Sequence, residues 1–181
     1  DGILSRFYGL QGKSAKGSGF QPVSLPADSP RGGLLGQGAI LTMTGTGERT
    51  SPVERGVFVY SHMLGGSVPP PPPNVPQLEI EEDLTVRQTL SAHVEQAQCA
   101  SCHRRMDPLG IGLEHCDAIG PWRADEILFL DREDNKRPTR VVLPSDATGT
   151  MPDRERDFDG HEELKAHLMD ECDAFAEGFL K

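Results

Sequence analysis

The chain has 181 residues and a formal net charge of −10 at pH 7, from 28 acidic and 18 basic residues. Hydrophobic residues make up 36% of it, which is enough for a buried core, and the acidic balance argues against binding nucleic acid or an anionic membrane. No apolar run approaches the roughly 20 residues that a membrane-spanning helix needs.

The first 66 residues predict a helical segment. Ser51 has the features of an N-cap, Pro52 follows at the first helical position, and Gly65 marks the end, so we expect a helix over 51–65. Its apolar stripe, which we expect to pack on residues 34–40, consists of Val53, Val57, Tyr60 and Leu64. We interpret residues 1–66 as the tail of a preceding domain followed by a scaffold.

Residues 67–84 predict a proline-rich connector. Five consecutive prolines, Pro69 to Pro73, cannot donate backbone hydrogen bonds and favour an extended polyproline II conformation. We therefore expect a stiff strap between two packed parts of the chain.

Residues 85–181 predict a second domain. Thr85 and Gln88 form a capping box for a helix that leads to Cys99. The runs "EILFLD" and "RVVLP" predict a small β-hairpin, and an amphipathic helix from about Asp159 closes the chain.

The most informative stretch of this domain is "QCASCH", residues 98–103. Two thiols three residues apart can add to the two vinyl groups of one haem, and a histidine directly after the second cysteine then lies under the iron. Cys99 and Cys102 are therefore predicted to hold one covalent haem c, with His103 as the proximal ligand.

Zinc and redox sites explain this stretch less well. A structural zinc site needs four ligands, usually in two separated pairs, and the chain has no second Cys-x-x-Cys. A thioredoxin-like pair would follow a buried strand, whereas the residues before Cys99 predict a helix. A helix before the motif, a loop region around the iron and a closing helix predict a mainly α, cytochrome-c-like fold.

The other haem contacts are predicted from position. The second ring nitrogen of His103 should donate to a backbone carbonyl in the following turn, with Pro108 as the candidate acceptor. Met151, in the loop before the last helix, is the candidate distal ligand. The alternatives are an apolar role for Met151 and a second imidazole, from His115, His161 or His167.

Four further residues and two cysteines complete the predicted site. The candidates for contact with the haem propionates are Arg49, Arg55, Trp122 and Arg123. Solvent exposure of their side chains is the alternative. Cys116 and Cys172 remain after haem attachment, and they form either a disulfide or separate thiols.

Four stretches carry a resemblance to a known family: "PRGGLLGQGAILTMTGTGERTSPVERGVFV", "PPPPPNVPQLE", "CASCHRRMDPLGIGLEHCDAIGPWR" and "DATGTMPDRERDFDGHEELKAHL". They resemble the C-terminal domains, mostly of unknown function, of large secreted planctomycete-type cytochrome-c proteins. The resemblance implies that the chain is a C-terminal piece of a larger polypeptide. The sequence departs from that family at His115-Cys116 and at Met151, where leucine is frequent.

The expected function is electron transfer by a monohaem c-type cytochrome module, because methionine ligation suits exchange between carriers. The alternatives are a peroxidase-like or ligand-binding haem, and a relay for an upstream catalytic domain. The expected partners are a redox protein, other haem domains and the parent polypeptide. Since haem is attached to this motif outside the cytoplasm, we expect a periplasmic or extracellular protein whose signal peptide lies upstream.

Overall fold

The computed structural model describes residues 2–9, 22–25, 29, 31–47, 49–70, 84–130, 139–153 and 155–180. Its helices are α1 (Gly2–Phe7), α2 (Gly38–Met43), α3 (Pro52–Phe58), α4 (Val86–Val94), α5 (Ala97–Ile111), α6 (Gly160–Asp170) and α7 (Cys172–Phe179). Its strands are β1 (Asp125–Leu130), β2 (Thr139–Pro144), β3 (Thr148–Thr150) and β4 (Asp157–Asp159). The described part of the chain is thus mixed, with helices and two small sheets.

The predicted start of α3 is confirmed. The Ser51 hydroxyl accepts a hydrogen bond from the Glu54 amide at 3.3 Å, and Pro52 occupies the first helical position. After Phe58 the chain widens into one π-helical turn, Val59–Met63, in which the Leu64 amide donates to the Val59 carbonyl. The sequence pattern did not predict this wider turn.

The capping box of α4 is also confirmed. The Thr85 hydroxyl accepts from the Gln88 amide at 3.2 Å, and the Gln88 side chain accepts from the Thr85 amide at 2.9 Å. The helix ends at Val94, however, and a new helix, α5, begins at Ala97. The predicted cysteines therefore lie on the first turns of α5 rather than at the end of α4.

The β-hairpin forms as predicted, with β1 and β2 antiparallel and Ile127 opposite Val142. The connection between these strands, residues 131–138, lies outside the described residues. A second antiparallel pair, β3 and β4, was not predicted; Thr148 lies opposite Asp159 in it. The predicted closing helix is divided at Glu171 into α6 and α7.

Helices α3 and α5 pack with their backbones in contact at two glycines. A Cβ atom at Gly110 would overlap the carbonyl oxygen of Pro52, and one at Gly56 would overlap the carbonyl of Met106. Only glycine permits so close an approach of two backbones at these positions. A helix of the predicted scaffold is in this way joined to the helix that carries the predicted haem motif.

One hydrophobic core spans the predicted segments 1–66 and 85–181. Its buried members are Leu35, Val59, Met63, Leu109, Leu113, Met151, Phe158, Leu164 and Leu168. The predicted division at the connector is therefore not a division of the core. Of the connector itself, residues 71–83 lie outside the described residues, and residues 67–70 have no regular secondary structure.

Among the described helices, none combines the length and the apolar character that a bilayer span requires.

Replacing Gly110 by alanine should separate α3 from α5, because the new methyl group would occupy the position of the Pro52 carbonyl oxygen. We expect the free energy of unfolding to fall by about 3 kcal/mol or more, at the upper end of overpacking effects. Urea unfolding followed by circular dichroism measures this change. Gly32→Ala is the matched control, since a Cβ there approaches only the ends of the Lys165 and Glu162 side chains. Equal stability of the two variants would contradict the proposed close contact.

Candidate functional site

A cavity of about 570 Å³ lies between α4, α5 and the β3–β4 pair. This volume is within the range of small-molecule and cofactor pockets in proteins. Its wall consists of Arg87, Leu90, Ser91, Val94, His103, Arg104, Asp107, Pro108, Ile111, Thr150, Met151 and Asp157. Three residues of the predicted haem site, His103, Pro108 and Met151, therefore meet around one space.

The predicted haem-attachment residues share one side of α5. Cys102 and His103 follow Cys99 by three and four residues, so both lie on the same side of the helix as Cys99. Both cysteines are partly exposed free thiols. The Cys99 sulfur is 3.9 Å from the Gln96 side-chain oxygen, and the Cys102 sulfur is 3.8 Å from the Ser101 hydroxyl.

The second ring nitrogen of His103 has a different partner from the one predicted. Its Nδ1 lies 3.0 Å from each carboxylate oxygen of Asp107, one helical turn further along α5. The Pro108 carbonyl instead accepts from the Gly112 amide at 3.2 Å, because α5 continues through Pro108 and its carbonyls follow the helix axis. With a proton on Nδ1 donated to Asp107, Nε2 of His103 is left as the ring nitrogen able to bind a metal.

His93 is a neighbour of the site that the sequence pattern did not reveal. Its ring meets the His103 ring edge-on, with centroids 4.8 Å apart. His93 lies in the last turn of α4, and the break before α5 brings the two rings together. The sequence pattern predicted one helix leading to Cys99 rather than two, so it did not reveal the contact.

Met151 is the predicted distal residue, and it follows β3 directly. Its side chain is 2% exposed, and it belongs both to the cavity wall and to the hydrophobic core. Its amide donates to the Arg156 carbonyl at 2.8 Å across the turn between β3 and β4. Packing and access to the cavity are therefore combined in one side chain.

None of the three alternative histidines belongs to the described cavity wall. His115 stacks on Trp122 and pairs through Nδ1 with the Arg123 carbonyl at 3.1 Å. His161 is buried, and this burial lowers its pKa. Nε2 of His167 lies 3.0 Å from the Asp157 carbonyl.

A family model matches residues 31–126, slightly more than half of the 181-residue chain. The chain belongs to the PSCyt3 family, described as a protein of unknown function (DUF1588). The match includes the Cys-x-x-Cys-His stretch and ends before Met151. No curated protein and no solved structure matches the chain significantly.

In this PSCyt3 chain, Arg55 binds the chain segment that follows α5. Arg55 is fully buried and donates through Nη1 to the carbonyls of Leu113 at 3.0 Å and Cys116 at 2.8 Å. It also donates through Nη2 to the Asp117 carbonyl at 3.1 Å and faces Glu114 at 3.3 Å. Arg55 thus fixes the path of the chain after α5.

Arg123 joins the same buried cluster rather than the cavity wall. Its Nη2 lies 2.7 Å from Glu114 Oε2, to which the Thr50 hydroxyl also donates at 2.9 Å. Trp122 is 45% exposed and stacks on His115, and Arg49 is exposed. The four residues predicted to contact haem propionates are outside the wall of the described cavity: Arg49, Arg55, Trp122 and Arg123.

The predicted Cys116–Cys172 disulfide is not formed, since both residues are free thiols. Cys116 is buried, and burial raises the pKa of its thiol, so it remains protonated at neutral pH. Cys172 is exposed and donates to the Met169 carbonyl at 2.8 Å. Within the described residues, no group of three or more histidine, cysteine, aspartate or glutamate side chains is placed to hold a metal ion.

Burial controls the ionisation of the Arg55–Glu114 pair. Desolvation raises the pKa of Glu114, although Arg55 and Arg123 act against this rise. Desolvation likewise lowers the pKa of Arg55 despite the nearby carboxylate. Removal of Glu114 would leave the Arg55 guanidinium buried without its ion-pair partner, and removal of Arg55 would leave the Glu114 carboxylate with Arg123 as its remaining cation.

Replacing Arg55 by methionine should leave the buried Glu114 carboxylate with only one of its two cationic partners, Arg123. We expect the free energy of unfolding to fall by about 3–5 kcal/mol at about pH 8, as for other broken buried pairs. A carboxyl whose pKa is raised on folding contributes stability below its unfolded pKa, and that stability is lost as the pH rises through the folded pKa. The variant should therefore lose less stability near pH 5, which urea unfolding at both pH values measures.

The control is the double variant Arg55→Met with Glu114→Gln, which removes both charges of the pair. It should recover part of the stability lost at the higher pH, because the buried Glu114 carboxylate, which lacks its Arg55 partner in the single variant, is also removed. A loss for Arg55→Met that is the same at both pH values would mean that packing, rather than charge, explains the role of Arg55.

Proposed function

We propose that this chain binds one haem c through Cys99 and Cys102, with His103 on the iron, and transfers single electrons in an exported protein. The observation that carries the proposal is the single cavity whose wall contains both His103 and Met151 and which borders the helix of the Cys-x-x-Cys-His stretch. A haem with two axial ligands needs one ligand on each side of the iron, and here the His103 ring lies on α5 while the Met151 sulfur follows β3.

The two free cysteines of the motif are suited to covalent attachment of haem. Each thiol, Cys99 and Cys102, is partly exposed and can add across a vinyl group: the sulfur forms a bond to carbon, and the thiol hydrogen passes to the neighbouring vinyl carbon. This addition consumes no oxidant or reductant. When bound, haem c supplies a one-electron couple between ferric and ferrous iron.

The cavity wall also offers cations for the carboxylates of the haem. Arg87 and Arg104 are the two arginines of the described wall. Arg87 is paired with Asp146 at 2.6 Å and is held further by Thr148, so its guanidinium is already fixed at this edge. We assign to these two residues the role that the sequence pattern had assigned to Arg49, Arg55, Trp122 and Arg123.

Met151 is proposed as the sixth ligand. Its thioether is a soft donor, and the 2% exposed side chain belongs to the hydrophobic core while bordering the cavity. Methionine ligation raises the reduction potential relative to two imidazoles, which suits exchange between carriers. Leu90, Val94 and Ile111 supply further apolar surface in the same wall.

The proposal extends to location and partners. Because haem is attached to this motif outside the cytoplasm, we expect the chain to act in the periplasm or outside the cell, within a larger polypeptide. The net charge of −10 favours association with a redox partner that presents a positive surface, and this attraction would weaken as salt is added.

The covalent attachment predicts that haem stays with the protein in denaturant. The pyridine haemochrome spectrum of the protein, exported from cells that mature c-type cytochromes, should show two thioether links per chain. Cys99→Ala with Cys102→Ala should abolish the links, whereas the control Cys172→Ala should retain both, since Cys172 is exposed and outside the motif. Haem that is absent, or that is extracted by acid and organic solvent, would refute the proposed attachment.

The ligand role of Met151 predicts a change when only its sulfur is removed. Met151→Leu keeps an apolar side chain of similar volume, so the fold should persist while the reduction potential falls and carbon monoxide binding appears. The control Met106→Leu makes the same exchange at another buried methionine, and it should leave both properties unchanged. If the unaltered protein already binds carbon monoxide rapidly, a ligand-binding or peroxidase-like haem becomes the better assignment.

A further inference from the structure

Asp107 is a buried carboxylate, and both of its described hydrogen bonds go to His103, the proposed iron ligand. Its two oxygens lie 3.0 Å from Nδ1, and the residue is only 3% exposed. The His103 side chain is 20% exposed, and both residues border the cavity. A buried carboxylate in this position is stabilised by the hydrogen bond that it accepts from an N–H group.

The packing of α3 on α5 places the backbone of Asp107 against α3. The Gly56 backbone lies against the Met106 carbonyl and the Asp107 amide, and a side chain at Gly56 would separate the two helices there. The Asp107 side chain borders the same cavity as His103 but is only 4% exposed. Its hydrogen bond to His103 is therefore largely shielded from solvent, and electrostatic effects are stronger in such surroundings than in water.

A carboxylate and a backbone carbonyl act differently on a metal-bound imidazole. Either one fixes the ring and its tautomer, but the negative charge of the carboxylate makes the imidazole a more basic donor. A more basic donor stabilises ferric iron more than ferrous iron, so the reduction potential falls. The proximal hydrogen bond is thus one of the means by which a protein sets the potential of a haem.

We infer that Asp107 is a positioning residue that holds His103 with its proton on Nδ1 and lowers the reduction potential of the bound haem. This inference rests on the proposed function. One electron is exchanged with the redox centre of a partner protein, and no proton leaves the chain, since the Nδ1 proton stays on His103 in both oxidation states. The chain would in this way favour donation of its electron to partners of higher potential.

The test is the variant Asp107→Asn, prepared as the haem-containing protein. Asparagine keeps the size and an oxygen acceptor for Nδ1 but removes the charge. At a fixed applied potential, the ratio of ferrous to ferric protein should rise about tenfold, equivalent to about 59 mV for one electron. Asp173→Asn, at an exposed position of α7, makes the same change in net charge and should leave the ratio within about twofold of the parent.

A spectroscopic measurement covers the case in which Asp107→Asn does not fold. In the ferrous Met151→Leu protein, the stretching frequency of the iron–histidine bond reports the charge on the proximal imidazole. With Asp107 intact, this frequency should fall in the range of haem proteins whose proximal histidine donates to a carboxylate. A frequency in the range of those that donate to a neutral carbonyl would overturn the inference.

The outcomes separate the inference from the function on which it rests. Protein that carries no thioether-linked haem overturns the proposed function, and the inference with it. Protein that carries the haem but whose potential responds equally to Asp107→Asn and Asp173→Asn overturns the inference alone. A tenfold shift confined to Asp107→Asn, with unchanged haem content, supports both.

Discussion

The contact between the backbones of α3 and α5 is the constraint on which the rest of the structure depends. Gly56 and Gly110 allow the two helices to touch, and Arg55, on the same α3, fixes the carbonyls of the chain that leaves α5. These contacts place a fully buried cation beside Glu114, whose pKa burial raises. Burying both charges is energetically costly unless their hydrogen bonds are made. The chain after α5 therefore follows a path that brings its carbonyls to the Arg55 guanidinium.

This contact gives the two ends of α5 different environments. Its first turns carry Cys99 and Cys102 as partly exposed thiols, whereas Asp107, further along the helix, is buried at the edge of the cavity. His103 lies between these environments and touches both the cavity and the buried carboxylate. In the proposed haem site, a single helix would combine an accessible attachment site with a buried carboxylate partner for the proximal histidine.

Local signals in the sequence predicted the parts of the fold that depend on neighbours along the chain. The caps at Ser51 and Thr85 and the β1–β2 hairpin are of this kind. The buried cluster of Arg55, Glu114 and Arg123 depends on partners about 60 residues or more apart, which a single sequence does not reveal. The His103–Asp107 pair was within reach, because the two residues are four apart, but the sequence pattern placed Pro108 in a turn, whereas α5 continues through it.

The two proposed influences on the iron oppose one another and come from separate parts of the chain. Asp107 lies within the segment that matches the PSCyt3 family and is held by α3, whereas Met151 lies beyond that segment, in the turn between β3 and β4. In the proposed site the carboxylate would lower the reduction potential and the thioether would raise it. Because the elements that hold them differ, a change in the β3–β4 turn could alter the distal side while the packing of α3 on α5 keeps the proximal side constant. The Met151→Leu protein would then retain the lowering effect of Asp107 without the opposing effect of the thioether, and its iron would be open to external ligands.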